Sequence, residues 1–407
     1  MTPRVTDAVQ PGADPRADET LRMGHSPLMS GLEAILEETE FGWSLGLIGE
    51  DQAGKLARLT ADLRRREVST TGDGKCITSG FSYLGAESAI AWANACRDRL
   101  YPVMRQSIEF FDRRWCSIRP SLDGKPYHYV SLGPGDGQKD IVILQDLMRY
   151  NAKLCYVAVD MSAEMLRLGV HALTRQLKLS RSNILPVQLD FSSQDNVAEL
   201  RRLLHGLFGE EAVLFSLLGN TMTNFENDTE LLRMLAEQLL RPQDRFVLEV
   251  ATTRQLEDTL AQEAAEEYGR SRTFREFATS ALMHYTDLQI DMDSVLFQGS
   301  VEEERALLVK IIYQNRTGRE IRLTLPDRTN VSFPQEDTVR LCISRKYAQH
   351  HLDSLLAESG VHKLGSSHFD FGGMQSGLQF GMDLLVLTTG PDPARSEQTI
   401  AEAIWRR

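Results

Sequence analysis

The sequence predicts an α/β protein: a mainly parallel sheet with helices on both faces, joined to a second portion of α+β character. Two observations carry this expectation. From Tyr127 to about residue 252, short apolar runs alternate with amphipathic stretches, the pattern of successive βα units. Outside that segment the pattern changes. Residues 26–124 read as amphipathic helices, and residues 285–345 show the period-two alternation of antiparallel strands.

Each element can be read in turn. SPLMSGLEAILEE and DQAGKLARLTADLRRRE place apolar residues three and four apart, predicting helices within 28–65. A connection rich in Gly and Ser, STTGDGKCITSGFSYLG, follows, then one long helix over AESAIAWANACRDRLYPVMRQSIEFFDRRW. Five strands come next: HYVSLG, KLCYVAVD, ILPVQLDF, EAVLFSLLG and RFVLEVAT. Between them lie four helices, DIVILQDLMRYN, SAEMLRLGVHALTRQL, a segment through NVAELRRLLHGLF, and DTELLRMLAEQLL. Residues 252–282 read as helical. The strands SVLFQGSVEEE, ALLVKIIYQN, EIRLTLP and TVRLCIS follow, then a helix over KYAQHHLDSLLAESG and a closing strand MDLLVLTTG.

Composition bounds the function. At 407 residues the chain exceeds the usual single core, so a large elaborated domain or two domains are expected. A net charge of −12 gives no general attraction for phosphate backbones or anionic lipids, which disfavours nucleic acid and membrane surfaces as partners. No apolar run approaches the roughly 20 residues that span a bilayer. The cysteines, Cys76, Cys96, Cys116, Cys155 and Cys342, are odd in number and form no CxxC pair, which reads as reduced thiols in a cytoplasmic protein. Residues 1–25 lack the apolar core of a signal sequence and read as a disordered leader, with 391–407 a tail. No metal is expected: His350 and His351 are adjacent and point to different faces of a helix, and His171 and His205 fall on separate helices.

The chemistry concentrates at the ends of the predicted parallel strands. Ser131 to Lys139 follows a strand and opens a helix, with Gly133, Gly135 and Gly137 permitting a tight turn and close approach of a ligand. The helix start offers N–H groups to an anionic group. By itself such a loop is weak evidence, and a surface turn is the lesser alternative. About 20 residues on, the second strand ends at Asp160-Met161, where a Rossmann-like site places a carboxylate against ribose hydroxyls. The alternative for Asp160 is a cap on the following helix, where Ser162 also qualifies. The third strand ends in Asp190-Phe191, a carboxylate for the adenine amino group beside an apolar cover, or else a loop acid opening the next helix. The fourth ends in a polar cluster from Leu218 to Phe225 that includes Gly219, Asn220 and Asn224. Dinucleotide enzymes share the first two features. The third glycine of GxGxxG is missing here, however, and the first strand lies behind a long helical leader. Both favour S-adenosylmethionine-dependent methyl transfer over a nicotinamide-dependent oxidoreductase. A non-catalytic Rossmann-like binding protein is the other alternative.

Several of these residues stand in a recognisable order. Lys139 follows the glycine loop, Val159-Asp160-Met161-Ser162 and Leu189-Asp190-Phe191 close two strands, and Gly219-Asn220-Thr221-Met222-Thr223-Asn224-Phe225 closes a third. Later comes Leu341-Cys342-Ile343-Ser344-Arg345-Lys346-Tyr347. From about Gly72 to the last strand the chain resembles the histidine Nα-methyltransferase family of ergothioneine biosynthesis, which also includes fungal enzymes that N-methylate a prenylated tryptophan. The resemblance implies a two-domain enzyme, monomeric or homodimeric. Residues 125–252 would form the Rossmann-like part and bind S-adenosylmethionine through Gly133, Gly135, Gly137, Lys139, Asp160, Met161, Asp190, Phe191, Gly219 and Asn220. Residues 26–124 and the inserted 253–335 would enclose a free amino acid, with 336–390 as closing strands and helix. Asn224 would hold the substrate's backbone end and, with Tyr268, orient the amine; Tyr83, Cys342 and Ser344 would line the same pocket. Two departures matter. Cys342 stands where histidine-specific members carry Glu, and it cannot make that charge-assisted bond, which argues against histidine and for another amino acid or small amine of specialised metabolism. Thr223 replaces a Gly of the amine-facing wall.

Overall fold

The computed structural model describes residues 45–48, 52–65, 68–371 and 380–390. The expected leader, the first helical segment and the tail lie outside these residues. In chain order the elements are β1 (Gly46–Leu47), α1 (Gln52–Leu63), β2 (Lys75–Cys76), α2 (Ala86–Arg97), α3 (Pro102–Glu109), α4 (Phe111–Ile118), β3 (His128–Leu132), α5 (Gln138–Leu147), β4 (Tyr156–Asp160), α6 (Ala163–Gln176), β5 (Ile184–Gln188), α7 (Gln194–Phe208), β6 (Val213–Leu217), α8 (Asp228–Gln238) and β7 (Arg245–Thr253). They continue with α9 (Asp258–Gly269), α10 (Arg272–Tyr285), β8 (Val295–Glu302), β9 (Ala306–Gln314), β10 (Ile321–Thr324), β11 (Asn330–Phe333), β12 (Thr338–Ala348), α11 (Gln349–Glu358), β13 (His362–Asp370) and β14 (Phe380–Thr388).

Strands β5-β4-β3-β6-β7 run parallel in that order. Every residue of β3, β4, β6 and β7 is buried, as strands covered on both faces must be. One face packs Val130, Val157 and Phe215 against α7, α8 and α11. The other packs Tyr129, Tyr156 and Val247 against α4, α5 and α6. β14 adds antiparallel to β7, and β13 to β14. The chain leaves β3 toward β5, then returns to β6 on the other side, so the order switches between β3 and β6. Their carboxyl ends open the crevice in which such sheets bind ligands.

The sheet forks at β7. Its first half pairs with β6 as far as Leu217–Leu248, whereas Thr252 and Thr253 pair with Tyr347 and Ala348 of β12. From there β12, β9 and β8 form an antiparallel extension covered by α9, whose Ala261, Ala264 and Ala265 are fully buried. Together with α2 and α10 this extension builds a separate core.

Three expectations are corrected. The long helix over 86–115 is three helices. Tyr101, forced out of the helical region by the proline that follows it, breaks the first boundary with φ −116° and ψ 71°, and Phe110 breaks the second. The helix expected from Lys346 starts at Gln349, because Lys346, Tyr347 and Ala348 are held extended by β9 and β7. The helical stretch from residue 252 begins at Asp258, since Thr252 and Thr253 finish β7, and it divides at Ser271, which caps α10 by accepting from Phe274 N–H. β1, β2, β11 and β13 had no counterpart in the reading of the sequence. No helix among the described residues is long and apolar enough to cross a membrane.

Candidate active site

Two contiguous chambers lie over the carboxyl ends of the parallel strands. The outer one spans roughly 1020 Å³ and the inner one roughly 420 Å³, both including space open to solvent. Tyr83, Trp92, Gly219 and Asn224 line both and form the junction.

The outer chamber is assembled by strand ends. Gly133 and Gly135 leave β3 with positive φ, and a Cβ at either would project toward Thr221 or Trp92, so the missing side chains leave a cradle. Asp160 and Met161 come from the end of β4, Asp190 and Phe191 from beyond β5, and Leu218, Gly219 and Thr221 from beyond β6. The capping question raised by the sequence is resolved. Ser162 caps α6, its hydroxyl accepting from Met165 N–H at 3.2 Å, while Asp160 only receives the Ser162 N–H at 2.8 Å. Burial pushes the Asp160 carboxyl up to about 7, outweighing the Ser162 bond and the charge of Lys55. Asp190 accepts from Ser192 N–H and Oγ at 3.0 and 2.6 Å and faces Arg58 at 3.7 Å. Helix α1 thus brings Arg58 to Asp190 and Lys55 to the Met161 carbonyl (2.5 Å), which ties it to the segments that follow β4 and β5. Asp136 also faces the chamber, and burial raises its pKa. Beneath the loop Asp140 accepts from Tyr129 and Tyr156 at 2.7 and 2.5 Å, which ties α5 to the sheet.

Two residues expected at the cofactor have other surroundings. Gly137 lines neither chamber; a Cβ there would stand 2.7 Å from the Gly169 carbonyl, so its smallness serves the contact of α5 with α6. Asn220 lines the inner chamber, and its amide bridges the fork in the sheet. Oδ1 accepts from Ala251 N–H at 2.7 Å, while Nδ2 donates to Ser344 Oγ at 3.2 Å and Arg345 O at 3.4 Å. Lys139 lines the outer chamber, with its ammonium bonded to Glu249 and Ser107.

Glu249 was not anticipated from the sequence. Fully buried, it accepts from Arg114 at 2.6 Å, Gly219 N–H at 2.8 Å and Ser107 at 3.2 Å, besides Lys139. Burial opposes its ionisation, but the Lys139 and Arg114 charges win and hold its pKa low. The corner at the junction, Gly219-Asn220, is fastened to it from both sides, since Asn220 N–H also donates to the Glu249 carbonyl. Its signal was a lone charge inside the apolar run RFVLEVAT, a placement that demands partners.

The inner chamber joins Tyr83, Asn224, Tyr268, Cys342 and Ser344, all expected there, with Trp92, Tyr101, Phe274 and Phe277, which were not. One wall is aromatic: Tyr83, Trp92 and Phe277 touch one another at ring separations of 4.9–5.4 Å, and Tyr101, Tyr268 and Phe274 at 4.9–5.5 Å. The facing wall is polar and uncharged. Tyr268 OH and Ser344 Oγ share a hydrogen bond of 2.9 Å. Burial pushes the Cys342 thiol up to about 12, keeping it neutral at physiological pH. None of the described residues lining this chamber is acidic or basic.

A family model described as histidine-specific, S-adenosylmethionine-dependent methyltransferase matches residues 82–368. The chain belongs to this methyltransferase family. Residues 82–368 include every strand end at the outer chamber and all of the inner chamber lining, and S-adenosylmethionine is the cofactor. Membership sets aside the oxidoreductase alternative. The search of curated proteins finds no match. Among solved structures, the CcbJ methyltransferase from Streptomyces caelestis is 13% identical, with 76% of this chain and 98% of that chain covered and a TM-score of 0.35. The glycopeptide N-methyltransferase MtfA is 16% identical, with coverage of 66% and 92% and a TM-score of 0.32. Magnesium protoporphyrin IX methyltransferase (ChlM) from Synechocystis PCC 6803 is 10% identical, with coverage of 75% and 95% and a TM-score of 0.36. Likenesses this low carry no argument about substrate.

The outer chamber suits the cofactor on its own chemistry. The glycine cradle admits a ligand to the backbone, and Asp160, raised by burial, gains acceptor strength from hydroxyl donors such as a ribose diol. Asp190 and Phe191 offer an acceptor beside an apolar face.

Proposed function

We propose that this methyltransferase acts on the nitrogen of an amino acid or small amine whose side chain is neutral, and that histidine is not its substrate. The observation that carries the reading is the uncharged inner chamber, which meets the outer one at Tyr83, Trp92, Gly219 and Asn224. A cationic or imidazole side chain placed there would be desolvated without a carboxylate to compensate it. Cys342 in its neutral form supplies none.

In this reading Asp160 binds the ribose hydroxyls, Asp190 the adenine amino group, and Gly133 and Gly135 admit the cofactor to the backbone. S-adenosylmethionine supplies an electrophilic methyl group on sulfonium sulfur. The remaining work falls to the chain. Asn224, at the junction, holds the acceptor's backbone end and aims its nitrogen. Tyr268, bonded to Ser344, accepts a hydrogen bond from the amine N–H and so leaves the lone pair aimed at the methyl group. The α-ammonium of a free amino acid is mostly protonated at neutral pH, so the reacting species is the minor neutral amine, formed by loss of its proton to water before methyl transfer. The aromatic wall excludes water and orients the acceptor, which is where such a site gains most of its rate.

The test is a panel of amino acids and small amines incubated with S-adenosylmethionine and read by mass spectrometry for added methyl groups. Neutral, apolar or aromatic acceptors are expected to be methylated and histidine to be left unchanged. Histidine as the preferred acceptor would overturn the reading.

A further inference from the structure

We propose that the indole N–H of Trp92 holds the carboxylate of the cofactor's amino-acid arm, so that one side chain serves both chambers. The proposal rests on the assignment of the outer chamber given above.

Trp92 sits on α2 and is only 8% exposed. Its ring face belongs to the inner chamber, packed on Tyr83 at 5.4 Å and on Phe277 at 4.9 Å. Its nitrogen belongs to the outer one: Nε1 lies 3.7 Å from the point where a Cβ on Gly135 would stand, at the open side of the glycine cradle. Among the described residues it donates to no group, and it opens onto the outer chamber. An indole N–H can only donate, so this one is available to an acceptor on the ligand.

The ligand's orientation identifies the acceptor. Asp190 and Asp160 take the adenine and ribose at the β5 and β4 side, and the reactive centre must face the junction. The remaining arm then runs past Gly135 between Asp136 and Trp92. That arm carries one ammonium and one carboxylate. The Asp136 carboxylate suits the ammonium, and a donor-only N–H suits the carboxylate. Lys139 is nearby, but two of its three N–H donors are turned to Glu249 and Ser107, and its charge is neutralised by Glu249.

The experiment compares three ligands by isothermal titration: S-adenosylhomocysteine, its decarboxylated analogue, and 5′-methylthioadenosine, which lacks the arm. Trp92→Phe keeps a ring between Tyr83 and Phe277 and removes the donor. It is expected to weaken S-adenosylhomocysteine about tenfold and to change the two carboxylate-free ligands by less than about twofold. Equal losses for all three, or none for any, would overturn the proposal. The unaltered protein gives a check that needs no variant, since it is expected to prefer S-adenosylhomocysteine over the decarboxylated analogue by about tenfold or more. Equal affinity would overturn the proposal while leaving the chamber assignment intact. Failure of the unaltered protein to bind any of the three would overturn both.

Discussion

The two chambers share four residues and differ in almost everything else. Asp136, Asp140, Asp160, Asp190 and Lys139 line the outer one, whereas the inner one is six rings facing an uncharged polar wall. The outer chamber has the fixed hydrogen-bonding groups that a polar, invariant ligand requires. The inner chamber has shape and aromatic surface, which discriminate among acceptors by size and by what they leave unpaired. A substitution in one chamber should therefore leave the other's ligand nearly unaffected, and this separation can be tested.

The largest effect is expected at Asp160. Asp160→Ala removes the acceptor proposed for the ribose and should weaken S-adenosylhomocysteine about a hundredfold by calorimetry. At the junction, Asn224→Ala should lower kcat/KM by about a hundredfold through misplacement of the acceptor, with S-adenosylhomocysteine affinity held within about threefold. Equal loss of both would mean that Asn224 supports the fold or the cofactor rather than the acceptor. The pH dependence sharpens the same contrast. Asp160 is raised to about 7 in the free protein, so below that pH it loses the charge that the proposed ribose contact needs. Cofactor affinity should rise about tenfold from pH 6 to pH 8 and then level, and Asp160→Asn should flatten the profile. The smallest of the four is Cys342→Glu, which installs a carboxylate in the neutral wall. It should weaken a neutral acceptor severalfold and strengthen histidine, while S-adenosylhomocysteine binding stays unchanged.

The same contrast explains what could be read from the sequence. The parallel strands were legible because burial, complete in β3, β4, β6 and β7, makes them largely apolar runs. Most of the outer chamber was legible for a related reason: Gly133, Asp160 and Asp190 lie where those runs stop. The inner chamber follows no such rule. Trp92 comes from α2, Tyr101 from the turn before α3, and Phe274 and Phe277 from α10, and each alone reads as an ordinary core aromatic. Tyr101 was masked further by a helix drawn through Pro102, although the residue before a proline resists helical geometry. Gly137 and Asn220 were assigned by position in a motif, while packing against Gly169 and bridging of the forked sheet decide their surroundings. The fork was invisible, because the pairing of Tyr347 and Ala348 with Thr252 and Thr253 is a long-range contact that no local pattern announces.

The central claim is that the acceptor chamber selects a neutral side chain. It is tested most directly by titrating protein saturated with S-adenosylhomocysteine with histidine and with neutral aromatic and aliphatic amino acids, following the heat released. Neutral ligands are expected to bind at least about tenfold more tightly than histidine. Histidine binding as tightly as the best neutral ligand would contradict the claim.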